Sequence, residues 1–303
     1  MSIDPARKIA FDIIREVNGK DGYANLVLSK VLNRKKIAAR DAAFITELVA
    51  GTLRAQGSYD LIISTAANRK LSSLQPAVVD VLRLGTHQLL AMRMPTRAGV
   101  SASVELARNT IGERVTGIVN AILRKVAAHD LTHWYQILAE ANPDQELAIR
   151  TNHPQWIVQV YQDLLGDEAE IALAKNNVAT RPTLVVRPGL ATVAELVGEP
   201  TKYSPFGVVS SGNPGLLPAV RQGRAGVQDE GSQLVAWALA KVTAPAGPWL
   251  DMCAGPGGKS ALLAGLAAEQ NSYLIANEPQ PHRAKLVADA IRAYPAGTAN
   301  VVA

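Results

Sequence analysis

Residues 248–260, PWLDMCAGPGGKS, constrain the fold of this chain more than any other stretch. Pro248 to Met252 is a short apolar run carrying one carboxylate, Asp251, a pattern suited to a buried parallel strand. Gly255, Gly257 and Gly258 then make a tight turn, and Lys259 to Glu269 reads as a helix. SYLIAN (272–277) is the next strand, PQPHRAKLVADAIRAY a second amphipathic helix, and NVVA (300–303) the beginning of a third strand. This β-α-β-α-β order predicts the opening of a doubly wound, Rossmann-like sheet. In such sheets a glycine turn after the first strand lets a ligand approach backbone N–H groups and a helix N-terminus. An acid ending the second strand can accept from ribose hydroxyls, and Glu278 stands there, 27 residues after Asp251.

Two common glycine loops are excluded by position. A Walker A loop needs a glycine five residues before Gly258-Lys259-Ser260, where this chain has Cys253. A dinucleotide G-x-G-x-x-G pattern fails because the glycines fall at 255, 257 and 258. Residues 251–260 instead resemble motif I of the RsmB/Sun and Nop-type RNA cytosine-5 methyltransferases, D-x-C-A-x-P-G-G-K-[TS], in every fixed position. VQDEGSQLV (227–235) and ANEPQPHRAKLV (276–287) also match that family. The resemblance implies S-adenosylmethionine as cofactor. Cys253, Ala254, Gly255, Pro256, Gly257, Gly258 and Lys259 would wrap its methionine and ribose end, mainly through backbone, and Glu278 would take its ribose hydroxyls. Aspartate is commoner in the family at that place, so the longer Glu278 would shift the cofactor slightly.

Residues 1–129 read as amphipathic helices without strands. Asp4 can cap a helix begun by Pro5, with Ile9, Ile13, Ile14 and Val17 on one face. RDAAFITELVAGTLR (40–54) presents Phe44, Ile45, Leu48, Val49 and Leu53, and the helix around 77–92 turns Val78, Val81, Leu82 and Leu89 inward. In that order, RDAAFITELVAGTLR (40–54), VLRLGTHQLL (81–90) and VNAILRKV (119–126) resemble the all-helical, RNA-binding NusB-like fold. Residues 1–129 carry a net charge of +9 and residues 130–303 one of −4, which points to an anionic partner for the first half. On the resemblance, Lys8, Arg15, Arg34, Lys35, Lys36 and Arg40 would face RNA phosphate, and ribosomal RNA is the expected partner. His87, beside an apolar stripe, is expected as a packed core histidine.

Between these parts, LTHWYQILAE and HPQWIVQVYQDLLG are helical. Trp156, Val160 and Leu164 repeat at helical spacing and are expected in the core. TLVVRPG (183–189) and FGVVSSG (206–212) read as strands of a small α/β unit. The expected organisation is multidomain: a NusB-like helical domain (1–129), linker helices with a small α/β domain (130–228), and the start of a Rossmann-like methyltransferase domain (229–303).

Cytosine C5 is a poor nucleophile. Members of the family meet this with a cysteine thiolate that adds to C6, an acid that protonates N3, a second cysteine that assists release, and a pocket for the unstacked base. Those cysteines lie in Pro-Cys and Thr-Cys motifs after the third strand. This chain has one cysteine, Cys253, placed in the cofactor loop with no evident base to activate it. A single cysteine also excludes a disulfide framework or a multi-cysteine zinc site and fits a reducing cytoplasm, and no apolar run is long enough for a membrane span. The expectation is therefore the front portion of a longer enzyme, with no catalytic residue of its own, an incomplete sheet with an exposed apolar face and edge, and no methyl transfer as it stands. The alternative is a NusB-like RNA-binding or assembly protein with a vestigial methyltransferase part. Pro-Cys and Thr-Cys motifs encoded beyond residue 303 would decide for the enzyme.

Overall fold

A computed structural model describes residues 4–20, 22–34, 37–178 and 180–303. Lys35 and Lys36 lie outside the described residues, as does the side chain of Arg34. The chain divides into two compact units, residues 1–178 and 179–303.

The first unit is helical throughout its described residues, with α1 (Pro5–Lys20), α2 (Ala24–Arg34), α3 (Ala39–Arg54), α4 (Gln56–Ala67), α5 (Pro76–Leu90), α6 (Thr96–Thr110), α7 (Thr116–Val126), α8 (Leu131–Ala141), α9 (Glu146–Thr151), α10 (Gln155–Leu165) and α11 (Ala169–Asn176). Asp4 starts α1 as expected: its Oδ1 accepts from the Arg7 N–H at 3.0 Å, with Pro5 at the first position. Ile13 and Ile14 of α1, Ile45 and Leu48 of α3, Ile62 and Ile63 of α4, and Leu82 of α5 meet in one core. Val78, Val81, Leu82 and Leu89 are all buried, yet α5 is buried on its other faces too, including Asp80, Thr86, His87 and Gln88. A helix enclosed on all sides must find partners for its polar side chains. Gln88 accepts from Arg7 Nε at 2.7 Å and donates to Leu84 O at 3.1 Å.

His87 is the packed histidine its position suggested. The Tyr59 hydroxyl lies 3.0 Å from Nδ1, and Glu47 Oε1 lies 3.3 Å from Nε2 but outside hydrogen-bond geometry. Burial holds the imidazole below its ordinary value, with Glu47 opposing and Arg54 adding to the shift. The fold thus favours neutral His87, while the unfolded chain takes up a proton near pH ~6.5. This contribution to stability is complete above that pH and is lost as pH falls from there through the folded value. The thermal midpoint of the helical unit should therefore drop as pH is lowered from about 7.5 to 5.5, and drop less in His87→Gln. Equal slopes for both proteins would refute the assignment.

One expectation fails here. Trp156 is 67% exposed, and Val160 and Leu164 are also exposed. The buried contact of α10 is Val158, flanked by Ile157 and Tyr161 and packed with Ala148 and Leu173. Helical spacing identifies an apolar stripe, but α9 and α11 cover the other side of this helix.

The second unit holds two sheets. β1 (Thr183–Val186), β2 (Glu199–Pro200), β3 (Gly207–Val209) and β4 (Ala225–Val227), with the short α12 (Pro218–Arg221), form an antiparallel sheet in the order β2-β3-β1-β4. Then come α13 (Glu230–Ala240), β5 (Trp249–Asp251), α14 (Gly258–Glu269), β6 (Leu274–Asn277), α15 (Pro281–Ile291) and β7 (Ala299–Val302), with a parallel sheet in the order β5-β6-β7. The expected crossover pattern is present, and β2 and β4 are additions of two and three residues, too short to leave a periodic signal. The unit boundary near 179 cuts through the expected middle segment 130–228 for a visible reason. Helices α8 and α9 pack with each other and α8 with α4, while Val185 of β1 shares a core with Leu262, Leu263 and Leu274. Gln233 of α13 also donates to Leu184 O at 3.2 Å. β5 is parallel as expected but not buried: it pairs on one side only, with β6, and Leu250 is 55% exposed. Among the described residues no helix is long and apolar enough to cross a membrane.

Candidate cofactor site

The loop at 251–258 is held from both ends by its own carboxylate. Asp251 Oδ1 accepts from the Cys253 N–H at 3.1 Å, and Oδ2 accepts from the Ser260 hydroxyl at 2.7 Å, tying the end of β5 to the first turn of α14. The Ala254 N–H donates to Asn277 O at 3.0 Å, and Asn277 Nδ2 donates to Met252 O at 3.2 Å, so β6 holds the loop laterally. Gly257, at φ +103°, turns the backbone into α14, and no side chain caps that helix. The amides at its start are left without intrahelical acceptors. Lys259 stands exposed in the same turn. A cation there works against the helix dipole, so an anionic group at this end is favoured by both.

Close approach explains Gly257, while Gly255 lies against the ends of two side chains. A Cβ on Gly255 would overlap Glu278 Oε2, and one on Gly257 would stand 2.7 Å from Ala290 Cβ and 2.8 Å from Val287 Cα. Glu278, 5% exposed, follows β6; its Oε1 accepts from the Gln280 N–H at 3.0 Å, and Oε2 faces Arg283 Nε at 3.4 Å. Arg283 Nη2 also donates to Gly255 O at 2.9 Å, bridging loop and acid. A carboxylate has about four acceptor positions, so Glu278 retains capacity for ligand hydroxyls beside Gly255. The structure thus brings Ala254, Gly255, Gly257, Gly258, Lys259 and Glu278 around one turn, with Pro256 exposed on it. Cys253 is exposed, its N–H engaged by Asp251. Sequence reasoning did not single out Asn277 or Arg283, although both lie in the segment ANEPQPHRAKLV that matched the methyltransferases.

The NusB family matches residues 4–128, and the family described as 16S rRNA methyltransferase RsmB/F matches residues 238–303. A Mycobacterium tuberculosis protein named "Putative methyltransferase Rv1407" is 46% identical across 97% of this chain and 67% of its own length. This chain belongs to the RsmB/Sun family of RNA methyltransferases. The "Probable ribosomal RNA small subunit methyltransferase B" of Bacillus subtilis is 28% identical across 94% of this chain and 65% of its own length. The RsmB/Sun chain described here spans about two thirds of the length of these relatives. The crystal structure of PH0851 shares the fold, with a TM-score of 0.76 at 19% identity over 100% of this chain and 70% of that one.

The basic residues expected to face RNA divide in this RsmB/Sun member. Lys8 pairs with Asp12 along α1, and Arg15 Nη1 is bound to buried Asp80 at 2.7 Å. Arg15 is thereby committed within the helical unit, whereas the Lys8–Asp12 pair lies in solvent. Arg40 stands exposed at the start of α3, with no carboxylate partner among the described residues.

Proposed function

We propose that this chain binds S-adenosylmethionine at residues 253–259 and Glu278, and that it serves the methylation of a cytosine at C5 in ribosomal RNA. The observation that carries the reading is the turn at Gly255–Gly258: a glycine at 257 required by its positive φ and its packing on α15, open amides at the start of α14, and a buried acid beside the turn. These residues fit the cofactor. The amides of the first helical turn suit its carboxylate, and Glu278 suits its ribose hydroxyls. When bound, the cofactor supplies an electrophilic methyl group. Asp251 and Ser260 keep the loop in shape, Arg283 holds the Glu278 carboxylate against Gly255, and the backbone orients the ligand. Cys253 is a loop residue in this reading, not the nucleophile, so these 303 residues perform no methyl transfer by themselves.

In the same proposal the domains are a NusB-like RNA-binding part at 1–129, a connecting part at 130–228 and a cofactor-binding part at 229–303. RNA is met through exposed cations such as Arg40 and Lys8 rather than Arg15, and the protein works in the cytoplasm.

Titration calorimetry with S-adenosylhomocysteine tests the cofactor reading. The wild-type chain should bind, and Glu278→Ala should weaken binding about ten- to hundredfold, the value of hydrogen bonds to a charged acceptor. Absence of binding by the wild-type chain would overturn it.

A further inference from the structure

Arg187, the first residue after β1, is 7% exposed, and no carboxylate is paired with it among the described residues. Its Nε and Nη1 are enclosed without an acceptor, which leaves Nη2 as the nitrogen facing outward. A guanidinium is always charged, and an unpaired charge out of water is costly to a fold. Burial pulls Arg187 down from its ordinary value; Tyr294 opposes this, and the charge of Arg292 adds to it.

The surroundings are built to hold this cation but not to neutralise it. Arg187 leaves the antiparallel sheet on the same face as Val185, which packs on Leu262 and Leu263 of α14. Its N–H donates to Arg224 O at 3.0 Å, and Nη2 stands 3.1 Å from where a Cβ of Gly226 would be. A glycine thus lies where the guanidinium crosses β4. Arg292, just past α15, has its Cζ 3.2 Å from where a Cβ of Gly223 would stand, three residues earlier on the same segment. Its Nη1 and Nη2 donate to the carbonyls of Asp289 and Arg221, at 2.6 and 3.0 Å. Each of those nitrogens carries a second N–H. Arg221 is exposed, with no ion pair among the described residues, and the Glu195 carboxylate is taken by Arg224.

Three arginines therefore share this edge of the second unit with no anion of its own set against them. The guanidinium charge is delocalised, so an anion meeting Nη2 compensates Arg187 even though Nε and Nη1 are covered. A planar carboxylate pairs with one guanidinium at a time. A phosphate group carries oxygens on several sides and can meet Arg187, Arg292 and Arg221 together.

We infer that Arg187, Arg292 and Arg221 form an oxyanion site for a phosphate group, seated over the segment 223–226. RNA backbone and a small phosphorylated ligand present the same chemistry here. S-adenosylmethionine has no phosphate, so this inference goes beyond the cofactor reading and does not rest on it.

The test uses the full chain, with Arg187→Met as the main variant. Arg181→Met, whose arginine pairs with exposed Glu199, controls for the loss of one charge. Thermal unfolding is compared in inorganic phosphate and in chloride at equal ionic strength. Phosphate should raise the wild-type and Arg181→Met midpoints by about 2–4 °C and leave that of Arg187→Met unchanged. In chloride Arg187→Met should unfold no lower than wild type, since it removes an unpaired buried charge. Arg292→Gln, altered on the exposed side, should lose the phosphate effect as well. A second arm follows binding of a single-stranded oligoribonucleotide against salt. If the site takes RNA backbone, the salt slope of Arg187→Met falls by about one while that of Arg181→Met does not. Loss of the phosphate effect with an unchanged slope assigns the site to a small ligand. The inference is overturned if phosphate and chloride give the same wild-type midpoint and the salt slope is also unchanged. It is equally overturned if Arg187→Met unfolds well below wild type in chloride or fails to fold, because the fold itself then satisfies the guanidinium.

Discussion

Replacing Gly257 with alanine is expected to destabilise the second unit by about 2–5 kcal/mol and to abolish cofactor binding. Two effects add. The backbone at φ +103° is one that L side chains rarely adopt, which costs about 1–2 kcal/mol. The new Cβ would also stand 2.7 Å from Ala290 Cβ and 2.8 Å from Val287 Cα, and overpacking of this kind costs about 1–3 kcal/mol. Neither contact is the end of a flexible side chain, so no rotamer change relieves it and α15 itself must move. Gly258→Ala is the internal comparison: its Cβ would meet only the Gln228 amide at 3.7 Å, an ordinary contact. Thermal unfolding and S-adenosylhomocysteine binding of both variants check this. Equal stability of the two would show that the Gly257 turn can shift freely.

In the helical unit the largest effect is expected at Asp80, which is 1% exposed. Its carboxylate accepts from Arg15 Nη1 at 2.7 Å, Arg83 Nη1 at 2.9 Å and Asn18 Nδ2 at 2.7 Å. Arg83 is shared with Asp60, which takes its Nε and Nη2 at 2.6 Å each. Asp80→Ala should cost about 3–5 kcal/mol, because it leaves two cations facing a buried gap. The size of that loss does not measure what the network contributes over an apolar core. It measures the penalty of breaking the network on one side. Asp60→Ala should cost less, since Asp60 is more exposed and Arg83 would keep Asp80. Denaturant unfolding of the three proteins gives the order, and an Asp80→Ala loss below about 1 kcal/mol would contradict it.

The same residues show how much of the fold was legible in the sequence. Local signals carried well: the Asp4-Pro5 start of α1, the α5 stripe and the strand–turn–helix at 249–269 all lie where the pattern put them. Each depends on neighbours within a few positions along the chain. What failed depended on distant partners. The stripe of Trp156, Val160 and Leu164 is real, but which side of α10 is covered is decided by α9 and α11. β2 and β4 exist because β3 and β1 offer them edges, and two or three residues hold no period to read. Arg15 counted toward a basic surface until Asp80, 65 residues away, was placed beside it. At the site, the glycine turn and Glu278 were legible because they form one contiguous motif and its neighbouring strand end. Arg283 was not, because a charge on an amphipathic helix is normally solvated, and only the fold sets it against Gly255.

Helix α14 has a consequence for ligand binding. Every residue from Ser260 to Ala267 is buried, including Ala261, Ala264 and Gly265, small side chains that let its neighbours close in. At Gly265 a Cβ would stand 2.7 Å from Pro188 O. A helix gripped on all sides cannot slide or tilt to meet an incoming molecule, and Asp251 and Ser260 fasten the turn before it to that helix. The chain therefore meets the entropic cost of ordering the turn when it folds, not when it binds. A ligand entering there encounters a preorganised receptor, and contact made with the turn goes into affinity rather than into freezing a mobile loop.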